Sequence, residues 1–123
     1  MAPTATPPIL LLNQKLVDSI CSEDTTPDEQ GKTRKLYANM LARAFQSVDA
    51  LRADLTMEER VRALHQLKGM LGNFGFAAAA AAVQEWEHAG GTPADDVARR
   101  KEQLRILLEQ SKAELFRLYS WLG

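Results

Sequence analysis

The chain has 123 residues, 46% hydrophobic and 25% charged, the composition of one globular domain with one core. Its formal net charge of −1 gives no basic field for nucleic acid or an anionic membrane, and a single cysteine, Cys21, excludes an internal disulfide and fits a reducing compartment. No apolar run reaches the ~18 residues of a membrane span, and Ile9–Leu12 is too short for a secretory signal, so the expectation is a soluble, cytoplasmic, monomeric protein.

Residues 1–8 read as a flexible arm and 9–123 as a single domain. A short apolar helix is expected from about Pro8 to Cys21, followed by a polar loop, Ser22–Thr26. Thr26-Pro27-Asp28-Glu29 then starts a second helix with a hydroxyl cap, a proline in the first position and acids in the first turn. Leu36, Tyr37, Met40, Leu41, Ala44, Phe45, Val48 and Leu51 recur at helical spacing up to about Ala53.

Thr56-Met57-Glu58-Glu59 is a capping box, and Val61, Leu64, Leu67 and Leu71 form the expected buried stripe of the helix it opens. Gly72-Asn73-Phe74-Gly75 closes that helix with residues suited to a left-handed end. The next helix, Phe76 to His88, contains the six alanines 77–82, which let a neighbour approach closely, and Ala89-Gly90-Gly91 stops it. Thr92-Pro93-Ala94-Asp95 starts the last helix, which carries Val97, Leu104, Leu108, Leu115, Leu118, Tyr119 and Leu122. Short loops make these helices antiparallel neighbours. The expected fold is all-α, an up-down-up-down four-helix bundle with the short N-terminal helix capping one end.

The chemistry concentrates on His65-Gln66-Leu67-Lys68-Gly69. With Leu64 at the centre of the buried stripe, His65 falls about 100° away, at the edge of the core face. Lys68 lies one turn on, where its ammonium favours the neutral, nucleophilic ring and attracts an anion. Gly69 and Gly72 lie about 40° and about 20° to either side of His65 on the helical wheel. Each costs the helix about 1 kcal/mol relative to alanine. They clear the surface around one imidazole, as if for a large docking partner. Nucleophile, cation and open approach suit the acceptance and release of a phosphoryl group. The same residues also fit a boundary histidine beside a solvated lysine, and the paired glycines favour the first reading.

The run His65-Gln-Leu-Lys68-Gly69-Met-Leu-Gly72-Asn-Phe74-Gly75-Phe76 resembles the motif of histidine-containing phosphotransfer (HPt) domains. It is most similar to the variant in the phosphoacceptor domain of chemotaxis histidine kinases. The resemblance implies a four-helix bundle with an exposed phosphoacceptor, His65, reacting through Nε2. It makes Lys68 the cation that steadies the phosphoryl group and Gly69 the space for the partner. It also implies a carboxylate or amide on the next helix twenty-two residues after the histidine, here Glu87, accepting a hydrogen bond from Nδ1–H. Arg62 on the His65 side, Gln66 and Gly72 complete the expected binding surface, with Met57 and Met70 at its margins.

Competing assignments are weaker. His65 with Glu85, Glu87 and His88 lacks a ligand pair on one helix, so no metal is expected. Gly69-x-x-Gly72-x-x-Gly75 lacks the strand and the Gly-Lys-Ser/Thr ending of a phosphate loop. Trp86 and Trp121 read as packing residues, and Arg60, Arg62, Arg99, Arg100 and Lys101 as scattered helix-face charges.

The resemblance implies a phosphocarrier rather than an enzyme. At 123 residues the chain has no room for a kinase domain and so departs from the much longer chemotaxis kinases, and a stand-alone carrier is expected. It would take a phosphoryl group from a receiver-domain aspartate, often that of a hybrid sensor histidine kinase, and pass it to a response regulator. No cofactor of its own is expected, because the receiver supplies Mg²⁺. The beginning at Met1 and the full last helix fit an independent protein rather than an excised fragment. The alternative is a helical interaction module that keeps the bundle and binds a partner without phosphotransfer.

Overall fold

The computed structural model describes residues 10–21, 26–89 and 94–123, and these are helical without a strand. The elements are α1 (Gln14–Cys21), α2 (Pro27–Asp49), α3 (Met57–Asn73), α4 (Ala77–Ala89) and α5 (Ala94–Leu118), followed by a 3₁₀ turn at Ser120–Leu122. The expected arm 1–8, residues 22–25 of the polar loop, the Gly90-Gly91 stop and the Thr92-Pro93 start lie outside the described residues.

α1 is shorter than the Pro8–Cys21 helix expected, because the backbone before it is used elsewhere. Asn13 N–H donates to Gly75 O at 2.8 Å, and Leu11 O accepts from Ala78 N–H at 3.3 Å. The Asn13 side chain accepts from Leu16 N–H at 3.2 Å and so starts the helix at the next residue. Gly75, the residue at the centre of this crossing, has φ +82°. A Cβ there would stand 2.7 Å from Val17 Cγ2, so this turn requires glycine.

α2 starts as expected, with the Thr26 side chain accepting from Glu29 N–H at 3.2 Å. It ends at Asp49, earlier than the predicted Ala53. There Lys101 Nζ donates to Asp49 O at 3.2 Å and Arg105 pairs with the Asp49 carboxylate at 2.8 Å, placing α5 cations at the negative end of the α2 dipole. Leu36, expected in the apolar stripe, is exposed, and Thr33 takes an inward position instead.

α3 packs against α2 and α4, and α5 packs against α4 and α2, so the four long helices enclose one core. Tyr37, Leu64, Leu71, Phe76, Trp86 and Leu108 are fully buried in it. The α3–α4 pair makes the most extensive contact. Its cause is local: Phe74–Phe76 form a tight turn, and α4 begins with alanines that hold nothing apart. Tyr37 secures this turn, donating its hydroxyl to Phe74 O at 3.2 Å and meeting the Phe74 ring edge-on. Folding α4 back along α3 brings its far end to the middle of α3.

Candidate functional site

The site is assembled on α3, whose first turn is held by hydrogen bonds local to it. The Thr56 side chain accepts from Glu59 N–H at 3.1 Å, and the Glu59 carboxylate accepts from Thr56 N–H at 2.9 Å. From this start the inward positions are Arg60, Leu64, Leu67 and Leu71. Val61 does not belong to the buried stripe, contrary to expectation: it is 38% exposed, and Arg60 turns inward in its place. The Arg60 stem lies in the core and its guanidinium donates to Ala53 O at 3.3 Å, tethering the α2–α3 connection. Arg60 is therefore not a helix-face charge.

His65 follows Leu64 and faces outward, its side chain 69% exposed. Glu87 arrives from α4 as the twenty-two-residue spacing implied, and it meets two groups at once. Its Oε2 lies 3.4 Å from His65 Nδ1, and its Oε1 lies 3.3 Å from Lys68 Nζ. Only 14% of the Glu87 side chain is exposed. Oε1 is fully withdrawn from solvent and has no aligned hydrogen bond, so what holds it is the charge of the Lys68 ammonium. Burial pushes the Glu87 carboxyl up, but Lys68, followed by His65, outweighs it and holds the group below the usual carboxylate range. The carboxylate thus stays ionised beside the ring. With Nδ1 turned to Glu87, Nε2 points away from it, on the open side of the imidazole.

The remaining candidates fall into two groups. Arg62 and Gln66 line a shallow, open, mostly apolar hollow of about 810 Å³ along the exposed face of α3, together with Met57, Val61 and His65, and Glu87 of α4 stands at its edge. Arg62 is held there by Glu58 at 3.2 Å and not by the histidine. Gly69 and Gly72 lie on the exposed side of α3, where an added Cβ would meet nothing within 4 Å. Met70 sits on the other flank, in a hollow between α2 and α3 that also contains Arg43, Ser47 and Gln66. Val61 is the site residue that sequence reasoning missed. Its four-residue spacing from Met57 and from His65 is the signal that could have found it.

With this geometry in view, comparison with known families is decisive. The model of the Hpt domain matches residues 35–114, about two-thirds of the chain. The chain belongs to the Hpt domain family. Neither the curated proteins nor the solved structures gave a match. Hpt domains are phosphocarriers of two-component phosphorelays, and a role in histidine phosphotransfer follows from membership.

The matched span of this Hpt domain runs from α2 into α5 and contains His65, Lys68 and Glu87; α1 and the final 3₁₀ turn flank it. The other sequence candidates lie apart from this cluster. His88 is exposed, Trp86 is buried in the core, and Glu85 lines a hollow between α4 and α5 with Arg99 and Arg100. Arg99 and Arg100 both pair with Asp96. Trp121 packs edge-on to Tyr119 at the end of the chain. Among the described residues no group of three or more His, Cys, Asp or Glu side chains is placed to hold a metal ion. Among them, too, no helix is long and apolar enough to cross a membrane.

Proposed function

We propose that His65 is the phosphoacceptor of this Hpt domain and that Lys68 and Glu87 are its working partners. The observation that carries the reading is the single carboxylate shared by His65 Nδ1 and Lys68 Nζ. A neutral imidazole with its proton on Nδ1, facing Glu87, presents the Nε2 lone pair outward. In the transfer step Nε2 attacks the phosphorus of a receiver's aspartyl phosphate. The Nε2–P bond forms, the P–O bond breaks, and its electron pair stays on the aspartate carboxylate. The ring keeps its Nδ1 proton and becomes a phosphoimidazolium, so positive charge develops beside Glu87. The fixed carboxylate stabilises that charge, and Lys68 stands one turn away to meet the phosphoryl oxygens. The reverse sequence delivers the group to a second receiver.

The helix adjacency supports an antiparallel up-down-up-down four-helix bundle with α1 capping one end, and residues 9–123 as one domain behind an arm of residues 1–8. The chain works as a cytoplasmic, monomeric carrier between a hybrid sensor kinase's receiver and a response regulator. It needs no cofactor of its own, because the receiver brings Mg²⁺. The test is to incubate the protein with phosphorylated receiver domains and look for acid-labile, base-stable phosphate on the chain. Label is expected on wild type and not on His65→Gln. Absence of label with every receiver removes the carrier reading, and label persisting on His65→Gln moves the site.

A further inference from the structure

We infer that residues 11–13, outside the matched family span, clamp the start of α4 and thereby set the position of Glu87 against His65; this rests on reading His65 as the phosphoacceptor with Glu87 as its partner. A helix leaves its first N–H groups unsatisfied, and a side-chain acceptor just ahead of it normally takes one of them. The sequence gives α4 no such acceptor: Phe76 precedes it, and its first six residues are alanines. Backbone holds its start instead. Gly75 O accepts from Ala77 N–H at 3.0 Å and from Asn13 N–H at 2.8 Å, and Leu11 O accepts from Ala78 N–H at 3.3 Å. Two of these three bonds come from the segment before α1.

That segment is rooted in the core and seated without slack. Leu12 is buried, and Asn13 opens α1, accepting from Val17 N–H at 3.0 Å through its backbone oxygen and from Leu16 N–H at 3.2 Å through its side chain. Val17 is fully buried, and a Cβ on Gly75 would fall 2.7 Å from its Cγ2 and 3.3 Å from Asn13 O. Tyr37 holds the other side of the same turn, at Phe74 O, and so fixes the end of α3 rather than the start of α4. The alanines of α4 are too short to interlock deeply with α3, so register along that part of the pair is set from its end. α4 is one continuous helix, and a shift at Ala78 is carried to Glu87, about 14 Å further on. The contacts Glu87 makes there, 3.4 Å to His65 Nδ1 and 3.3 Å to Lys68 Nζ, already exceed ordinary hydrogen-bond length, so a small further shift loses them. Val83 and Trp86 are buried on the far half of α4 and limit the shift, so releasing the clamp removes part of what Glu87 contributes and not all of it.

The test removes one N–H. Asn13→Pro deletes the donor to Gly75 O, and Asn13→Ala, which loses the same side chain but keeps the N–H, is its reference. Labelling is followed with a phosphorylated receiver and with phosphoramidate, a small donor that needs no docking. Relative to Asn13→Ala, Asn13→Pro is expected to slow both reactions by about threefold, less than the roughly tenfold loss expected for Glu87→Ala. In a Glu87→Ala background the same exchange of alanine for proline is expected to change neither rate, because the clamp acts through Glu87. A general loosening of the fold would slow transfer equally in both backgrounds, and that result overturns the clamp. So do equal rates for Asn13→Ala and Asn13→Pro with Glu87 present, which leave the phosphotransfer reading standing. If circular dichroism shows that Asn13→Pro does not fold, Val17→Ala loosens the same seat and is compared with wild type in the same cycle, with the same expected and overturning results. Wild-type rates in Glu87→Ala overturn the clamp by removing the group it acts through. Wild type labelled by neither donor removes the phosphotransfer reading and the clamp together.

Discussion

Glu87 has to serve a cation and an imidazole with one carboxylate, and its two oxygens divide the task, Oε2 to His65 and Oε1 to Lys68. Removing it leaves the ring free to choose its tautomer and leaves developing positive charge without a partner. Glu87→Ala is expected to slow transfer by roughly tenfold, about 1.4 kcal/mol of transition-state stabilisation. The thermal unfolding curve should keep its shape, because the side chain sits at the edge of the core. Glu87→Gln keeps an acceptor for Nδ1–H but not the charge and should fall between the two. Rapid-quench measurement of transfer decides the matter, and wild-type rates in both variants would make Glu87 a bystander. Gly69 shows the opposite balance. An added methyl meets nothing in the molecule, so Gly69→Ala should stabilise the free protein by about 0.5–1 kcal/mol through better helix propensity. It should also slow receiver-dependent transfer, since the space belongs to the partner. A variant that gains stability and transfers normally would mean that the glycine has no docking role.

At the scale of elements, α3 shows both how far the sequence could be read and where it stopped. The capping box is a local signal, and Thr56 and Glu59 make both of its hydrogen bonds. The histidine's outward placement followed from Leu64, because both positions sit on one rigid helix. The inward turn of Arg60 was not legible. A long aliphatic stem can line a core when its charged head finds a carbonyl, and the acceptor, Ala53 O, belongs to a connection whose path no periodicity announces. The shortened α1 was hidden for the same reason, since its preceding backbone bonds to a turn sixty residues away. Thr56→Ala is expected to cost about 1 kcal/mol by removing the cap. Accepting the Thr56 backbone N–H, and then the Thr56 side-chain contact, holds the Glu59 carboxyl below its ordinary value. A depressed carboxyl contributes stability above that ordinary value, and the contribution is lost as pH falls through the folded-state value. Glu59→Gln should therefore lose less stability than wild type as pH falls below 4.5, in urea unfolding followed by circular dichroism.

At the scale of the whole molecule, long-range contacts from the two flanks of the family span converge on α2 and α1. Arg34 Nε of α2 donates to Trp121 O at 2.9 Å, and Tyr119 OH donates to Asp18 Oδ1 of α1 at 2.6 Å. The second bond joins residues 101 positions apart and so links the two flanks of the family span directly. The hydrogen bond to Asp18, then burial, pushes the Tyr119 hydroxyl from 10.0 up to about 12. A group whose proton is held more tightly in the folded state contributes stability below its unfolded value and loses it as pH rises through the folded one. The Asp18–Tyr119 contribution is therefore full below pH 10 and fades between pH 10 and about 12. Tyr119→Phe should be less stable than wild type by on the order of 1.5 kcal/mol at pH 8, the worth of a hydrogen bond to a charged acceptor. The two proteins should converge as pH rises, because the ionised phenol and the Asp18 carboxylate repel one another while phenylalanine is indifferent to pH. Urea unfolding at pH 8, 10 and 11 reads this directly. A gap that stays constant across that range would show that Tyr119 contributes through ring packing and not through its proton. Transfer at pH 8 should be the same in both proteins, since neither Tyr119 nor Asp18 lines the hollow beside His65.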